Sequence, residues 1–121
     1  ALGSPICPSP PRTREPAMAA YLIVRARVEP GIHDAFDTWY QNEHLPEALA
    51  AFRAHQALGA KRGWSSLDAD VHIAFYEFPD LAAAQALMGS DILQGLIAEF
   101  DRRWGDKAPR TREIVELSQT I

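Results

Sequence analysis

The sequence predicts a single α+β domain in which four antiparallel strands carry helices on one face. Two observations predict this class. Segments with the two-residue alternation of strands are separated by segments in which apolar residues recur at helical spacing. The chain of 121 residues also has the length of one domain.

The first predicted strand covers residues 20–28 and is rich in β-forming residues. Successive side chains of a strand point to opposite faces, so its residues divide into two sets. The face that we expect to pack on helices carries Leu22, Val24, Ala26 and Val28. The opposite face carries Tyr21, Ile23, Arg25 and Arg27.

A helical segment follows. Its inward positions are Ile32, Ala35, Phe36, Trp39 and Tyr40. Pro46 has no backbone N–H and disfavours helical geometry at the residue before it, so we expect this helix to stop or bend near Glu43 and His44. A second, short helix is predicted from Pro46 to about Ala57.

The middle of the sequence predicts a hairpin. A glycine-containing strand at 59–66 and a turn at 67–70 precede a strand at 71–78. In that last strand the alternation separates two sets of side chains. One set is Val71, Ile73, Phe75 and Glu77, and the other is His72, Ala74, Tyr76 and Phe78.

Two further helices and a strand complete the chain. Asp80 and Ser90 are suitable N-caps, and Gly89 separates the two helices. Their core positions are Leu81, Ala84, Leu87, Met88, Ile92, Leu96, Phe100 and Trp104. Residues 110–118 alternate again, and their many charges predict an edge strand.

The order β-α-β-β-α-β is that of the ferredoxin-like fold, whose helices cover one face of the sheet. The other face must meet water, a ligand or another sheet. We expect Tyr76 and Phe78, with Tyr21 and Ile23, to make that open face apolar. A homodimer that packs two sheets face to face is the expected solution.

Composition excludes several functions. The chain has a net charge of −4 and lacks the clustered positive charge that a nucleic-acid-binding surface requires. No apolar run is long enough to span a membrane. Residues 18–121 contain no cysteine, which fits a reducing cytoplasm.

Residues 1–17 differ from the rest of the chain. They hold five of its nine prolines, together with its single cysteine, Cys7. Such a segment buries too little apolar surface to become ordered, so we expect a disordered tail, or an added or upstream segment, before a domain at 18–121. Met18 is the expected native start.

The segment around His44 carries a resemblance to a known family. An aromatic pair at the end of the first helix precedes a Glu-His-x-Pro motif. With this motif and the predicted architecture, the chain resembles the EthD-like proteins of the dimeric α+β barrel superfamily. The resemblance implies a homodimer with one pocket per subunit between sheet and helices, and His44 near that pocket. The residues that carry it are Phe36, Trp39, Tyr40, Glu43, His44, Leu45 and Pro46.

His44 is the candidate catalytic residue. Histidine titrates near neutral pH, so this side chain can act as a general acid or base. The alternative is that its imidazole caps the preceding helix. Glu43 either orients that imidazole or is a solvated charge.

The remaining pocket candidates each have a structural alternative. Trp39 and Tyr40 either form an aromatic pocket wall or fill the core. Arg25 and Arg27 either hold a carboxylate or phenolate or form ion pairs across strands. His72 and Tyr76 are expected on one face of their strand, as further pocket candidates.

No metal or cofactor site is predicted. The four histidines lack a metal-binding spacing, and no phosphate-binding or nucleophile-elbow motif occurs. Two functions remain. The first is a small cofactor-independent enzyme that moves a proton on an aromatic or polyketide-like compound, leading to isomerisation, cyclisation or oxygenation. The second is a non-catalytic homodimer that binds a small molecule or fills its cavity with its own side chains.

Overall fold

The computed structural model describes residues 18–121. The proline-rich segment 1–17, which includes Cys7, lies outside the described residues. The structure does not test the expected native start at Met18. The strands are β1 (Ala20–Arg27), β2 (Gly59–Trp64), β3 (Val71–Phe78) and β4 (Arg110–Glu116). The α-helices are α1 (His33–Trp39), α2 (Leu45–Phe52), α3 (Leu81–Met88) and α4 (Asp91–Trp104).

The four strands form one antiparallel sheet in the order β2-β3-β1-β4. This order, with helices on one face, confirms the ferredoxin-like α+β fold. It also places β4 at an edge of the sheet, as its charge predicts. The hairpin of β2 and β3 supplies the opposite edge.

The register of β1 and β3 corrects one prediction. Leu22 lies opposite Tyr76, and Ala20 lies opposite Phe78. Directly opposed residues point to the same face of a sheet. Tyr76 and Phe78 therefore lie on the helix-covered face, where both are buried. The alternation within each strand was predicted correctly, but alternation alone does not decide which set of β3 faces the helices.

The open face is apolar through other side chains. Ile23 lies opposite Phe75, and Arg25 lies opposite Ile73. Val115, opposite Tyr21, is 38% exposed. The central residues of this face are thus aliphatic and aromatic, with charged residues around them.

The sequence predicts that the first helical segment stops or bends near Glu43 and His44. The α-helix does end, at Trp39, but the backbone remains helical up to Pro46. Residues 40–44 form one π-helical turn, in which the N–H of Leu45 bonds to the carbonyl of Tyr40. The backbone stays right-handed helical from Trp39 to Leu45. Pro46 lies in the first turn of α2, where a missing N–H is tolerated. The wider turn accommodates the proline and keeps the chain helical.

The later helices begin at the predicted caps. The carboxylate of Asp80 accepts a hydrogen bond from the N–H of Ala83 at 2.9 Å. The hydroxyl of Ser90 accepts one from the N–H of Leu93 at 3.2 Å. Each cap satisfies an N–H that has no partner within its helix. Both helices then pack on the sheet through buried positions, among them Ala84, Leu87, Leu96 and Phe100.

Within residues 18–121, no single helix is both long and apolar enough to cross a membrane. The pair formed by α3 and the segment Asp91–Lys107 meets that criterion only jointly, across a bend of 58°.

Candidate functional site

A small cavity lies between the helices and the sheet. Its free volume is about 30 Å³, enough for on the order of two water molecules. Three lining residues, Val24, Ile97 and Arg112, are partly exposed, and the side chain of Arg110 beside them is 8% exposed. The cavity therefore opens between α4 and the strands β1 and β4. The buried lining residues are Leu22, Tyr40, His44, Phe52, Tyr76, Leu93, Leu96 and Phe100.

The π-helical turn brings two polar rings to this cavity. A π-helix has more residues per turn than an α-helix, and such turns are frequent at functional sites. Tyr40 and His44 stand at the two ends of the turn and both line the cavity. Their ring centroids are 4.8 Å apart.

His44 is 7% exposed and surrounded by aromatic rings. Its imidazole stacks on Trp39 at 4.6 Å and meets the edge of Phe100 at 5.6 Å. Nδ1 is buried and has no hydrogen-bond partner within residues 18–121. His44 makes no side-chain cap bond to α2, and its buried Nδ1 donates to no carbonyl of the preceding helix within residues 18–121.

The environment of His44 makes its imidazole neutral. Burial, followed by the positive charges of Arg110 and Arg112, lowers the pKa of His44 to about 4. A neutral imidazole has one nitrogen lone pair free to accept a proton. The side chain therefore has the protonation state of a general base at neutral pH.

Two tyrosine hydroxyls meet at the cavity wall. The hydroxyl oxygens of Tyr40 and Tyr76 are 3.4 Å apart. Burial raises the pKa of both phenols above the ordinary value, most strongly for Tyr76. Both hydroxyls therefore keep their protons at neutral pH and can donate hydrogen bonds.

Arg110 and Arg112 are site residues that sequence reasoning missed. Arg112 lies opposite Val24, and Arg110 lies opposite Ala26, so both belong to the helix-covered face of β4. The guanidinium of Arg110 lies 3.7 Å from the ring centroid of Phe100 and donates to the carboxylate of Asp101 at 2.7 Å. The signal was present in the alternation of β4, which separates Arg112 and Ile114 from Glu113 and Val115.

The structure does not bring Arg25 and Arg27 to this cavity. Both are exposed on the opposite face of β1, where Arg25 pairs with Glu113 and Arg27 donates to Asp68 at 2.7 Å. Glu43 is exposed and does not line the cavity. Trp39 does not line it either, but stacks against the imidazole of His44.

His72 belongs to a neighbouring polar cluster rather than to the cavity lining. It is 1% exposed, and Arg62 donates to its Nε2 at 3.3 Å. Arg62 also donates to Asp37 at 2.7 Å, and the indole of Trp64 donates to the same carboxylate at 2.9 Å. Burial, then Arg62, lower the pKa of His72 to about 4. Tyr40 separates His72 from the cavity, with ring centroids 4.4 Å apart.

No group of three or more histidine, cysteine, aspartate or glutamate side chains suited to a metal ion occurs within residues 18–121. The polar groups that reach the cavity are one imidazole, two phenols and two guanidiniums. This set can accept a proton and stabilise a negative charge.

Comparison with known proteins gives matches in structure alone. No family model matches the sequence, and no curated protein does. A mutant of SnoaB, a cofactor-independent oxygenase from Streptomyces nogalater, aligns with a TM-score of 0.61 at 10% identity, over 87% of this chain and 98% of that one.

Two other solved structures align similarly. An ethyl tert-butyl ether d (EthD) family protein from Bacillus halodurans has a TM-score of 0.57 at 18% identity, covering 81% of this chain and 98% of its own. An antibiotic biosynthesis monooxygenase has a TM-score of 0.54 at 14% identity, covering 84% and 99%. At such identities the likeness shows the fold and not the reaction. The chain therefore has a ferredoxin-like fold similar to that of solved proteins described as a cofactor-independent oxygenase, an EthD family protein and an antibiotic biosynthesis monooxygenase.

Proposed function

We propose that this protein is a cofactor-independent enzyme that removes a proton from a planar aromatic or polyketide-like substrate. The observation that carries the proposal is the buried imidazole of His44, which lines the cavity and whose Nδ1 lacks a partner within residues 18–121. A buried polar atom without a partner costs free energy, and a bound molecule can supply that partner.

The proposed step is a proton transfer. The C–H bond of an acidic carbon breaks, where that carbon lies beside a carbonyl or is conjugated with it through an aromatic ring. Its proton moves to the imidazole of His44, and its electron pair is delocalised onto the carbonyl oxygen to form an enolate. The hydroxyls of Tyr40 and Tyr76 donate hydrogen bonds to the enolate oxygen, and the positive charges of Arg110 and Arg112 at the cavity mouth stabilise the negative charge of the enolate through space. Arg25 and Arg27, expected from the sequence in this role, are replaced by the two arginines of β4.

The enolate can then be reprotonated elsewhere, attack a second carbonyl of the substrate, or react with dissolved O₂ as the oxidant. These outcomes correspond to isomerisation, cyclisation and oxygenation. A structural neighbour described as a cofactor-independent oxygenase supports the third outcome at the level of fold. The apolar lining supports a planar, mostly apolar substrate.

Deuterium exchange into anthrone, a planar ketone with an acidic methylene group, tests the proposed step directly. The protein is expected to accelerate exchange, and His44→Gln is expected to lower that acceleration by at least about a hundredfold, the contribution of a positioned general base. Exchange is followed by NMR in D₂O at neutral pH, where the imidazole is neutral.

The matched control for this experiment is His55→Gln, at a half-exposed histidine outside the cavity lining. It is expected to keep the wild-type rate. Anthrone is one member of a panel of planar aromatic ketones with acidic C–H groups. Exchange that is accelerated equally by wild type and a folded His44→Gln variant, or accelerated by neither on the whole panel, contradicts the proposal.

We further propose that the protein is a homodimer through the open face of its sheet. The apolar centre of that face, with Ile23, Ile73 and Phe75, is left uncovered by the described residues. Exposed apolar patches of this kind mark protein interfaces. Since the cavity lies on the other face, this dimer is expected to support the sheet rather than to complete the site.

Phe75→Glu is expected to convert the dimer to a monomer, because a carboxylate at the centre of the interface would be buried without a partner. Light scattering after size-exclusion chromatography measures the mass. Ala35→Glu is the matched control. The helical spacing predicts an inward position for Ala35, but the structure leaves it exposed on α1, so the same added charge is expected to leave the dimer intact. A monomeric wild type at high micromolar concentration would refute the dimer.

A second candidate function is a non-catalytic homodimer that binds a small molecule or none. The observation that favours it is the cavity volume of about 30 Å³, which is far below that of an ordinary ligand pocket. The enzyme proposal requires the side chains at the mouth to move. An inert protein in the exchange experiment, with no binding to its cavity, is the result expected of this second function.

A further inference from the structure

We propose that the Arg112 side of the cavity mouth binds an organic anion, specifically the carboxylate of an aromatic ligand. The inference deepens the proposed function, because it names the substrate class of the same cavity. It rests on the charges, walls and opening of that cavity.

The mouth of the cavity carries more positive than negative charge. Arg110 is paired with Asp101, whose side chain is 58% exposed. Arg112 forms no ion pair and no side-chain hydrogen bond with any residue of 18–121. On β4 the acidic Glu113 points to the opposite face, where it is paired with Arg25. A half-buried guanidinium without a carboxylate is a ready partner for an anion, which it can bind through two parallel hydrogen bonds.

The partly buried position of Arg112 increases the value of such a partner. Burial lowers the pKa of Arg112. Burial, followed by the positive charge of Arg112, lowers the pKa of Arg110 to about 10. Both groups stay charged at neutral pH. Arg112 disfavours the charge of Arg110, whereas Asp101 favours the charge of both. An anion at the mouth would relieve this repulsion.

The walls beside Arg112 suit an aromatic ring. Val24 and Ile97 flank the opening, and Phe100 forms its inner side. His44, deeper in the cavity, has a buried nitrogen without a partner within residues 18–121. A ligand whose carboxylate binds Arg112 and whose ring extends inward would bring its ring carbons toward His44.

Entry of such a ligand requires Arg110 to move. Its side chain is 8% exposed and lies over Phe100, held by the single ion pair with Asp101. A salt bridge with an exposed carboxylate is weak and exchanges readily. A carboxylate bound at Arg112 brings a second negative charge beside Arg110, so Arg110 is expected to leave Asp101 and swing outward as the ring enters.

Calorimetric titration with 2-naphthoate and with its neutral isostere 2-naphthamide tests the inference. The wild type is expected to bind the anion more tightly than the amide. Arg112→Gln is expected to weaken the binding of 2-naphthoate by about ten- to a hundredfold, the range for a hydrogen bond to a charged group. The affinity for 2-naphthamide is expected to stay unchanged. Arg112→Lys keeps the positive charge but not the two parallel N–H donors of the guanidinium. Its affinity for 2-naphthoate is expected to lie between those of the wild type and Arg112→Gln.

The matched control is Arg53→Gln, which removes the same charge at an exposed position after α2 and is expected to bind like wild type. Far-UV circular dichroism verifies the fold of each variant. Equal affinities for anion and amide, or equal weakening of both by Arg112→Gln, overturn the inference. Competition by millimolar phosphate or chloride as effective as that of 2-naphthoate would show a site for simple anions and also overturn it.

The same titration separates this inference from the proposed function. His44→Gln is expected to bind 2-naphthoate within about threefold of wild type while it loses proton exchange. Binding that depends on Arg112, without any exchange activity, supports the anion site and contradicts the proposed enzyme. Exchange that depends on His44, without a preference for the anion over the amide, supports the enzyme and contradicts the anion site.

Discussion

Lowering the pH from 7 to 4 is expected to reduce the free energy of unfolding by about 3 kcal/mol for each of two buried histidines. His44 and His72 each have a pKa of about 4 in the folded protein, against an ordinary value of 6.5. A shift of that size corresponds to about 3 kcal/mol, since one pKa unit is about 1.4 kcal/mol. The two contributions together approach roughly 6 kcal/mol, comparable to the whole stability of many small domains.

The sign follows from proton binding. Between pH 6.5 and pH 4 the unfolded chain binds protons at these histidines while the folded protein does not, so stability rises with pH in this window. Above pH 6.5 both states are neutral at these positions and the effect vanishes. Below pH 4 both states are protonated and no further loss arises from them. Arg110 and Arg112 disfavour the charge on His44, and Arg62 disfavours that on His72, which Asp37 partly offsets.

Urea denaturation at pH 7.0, 5.5 and 4.5 measures the loss. His72→Phe keeps an aromatic ring in the core, so it is expected to flatten the pH dependence even if the lost bond from Arg62 lowers stability at pH 7. His44→Phe is expected to flatten it in the same way, and the double variant most of all. Stability that stays constant across the window in wild type, or a double variant as pH-sensitive as wild type, contradicts buried neutral imidazoles.

The fold was predictable because local patterns determined it. The alternation of residues 20–28 and 71–78, the helical spacing from Ile32 and the caps at Asp80 and Ser90 each depend on neighbours in sequence. Their order then allows few topologies. The edge position of β4 also followed from its own charges.

The face of each strand was less predictable, because it depends on pairing with other strands. Nothing local in Val71–Phe78 decides whether Tyr76 or Phe75 meets the helices, since both sets of side chains are largely apolar. Arg25 and Arg27 do lie on the open face, as the alternation of β1 predicts, but the cavity lies on the helix-covered face. The pairing of Val24 with Arg112 instead places the arginines of β4 at the cavity.

His44 illustrates a different limit. The motif drew attention to this segment, and α1 does end there, at Trp39, but a π-helical turn rather than irregular chain follows it before Pro46. A π-helical turn before Pro46 accommodates its missing backbone N–H as well as a helix break would. No local signal in the sequence distinguishes the two. The turn has a consequence for the site, since it buries His44 against Trp39 instead of leaving it at an exposed helix end.

Phe36→Ala is expected to lower the free energy of unfolding by about 3–5 kcal/mol, the range for removing a fully buried phenylalanine. Phe36 has no exposed surface and lies at the centre of an aromatic cluster. Alanine would leave a cavity that rigid neighbouring rings close poorly. The rings within 6.3 Å of Phe36, measured between centroids, belong to Trp39, Tyr40, Trp64, His72, Phe100 and Trp104.

Urea denaturation at pH 7 measures this effect, with Phe36→Leu as the conservative companion, expected to cost less than about 2 kcal/mol. A loss below about 0.5 kcal/mol for Phe36→Ala, the range of a surface substitution, would contradict the central position of this ring.

Phe36 also contacts both Tyr40 and His72, so it joins the cavity wall to the polar cluster of Asp37 and Arg62. Phe36→Ala is therefore expected to weaken 2-naphthoate binding as well, because the ring that positions Tyr40 is gone, whereas Phe36→Leu preserves most of both properties.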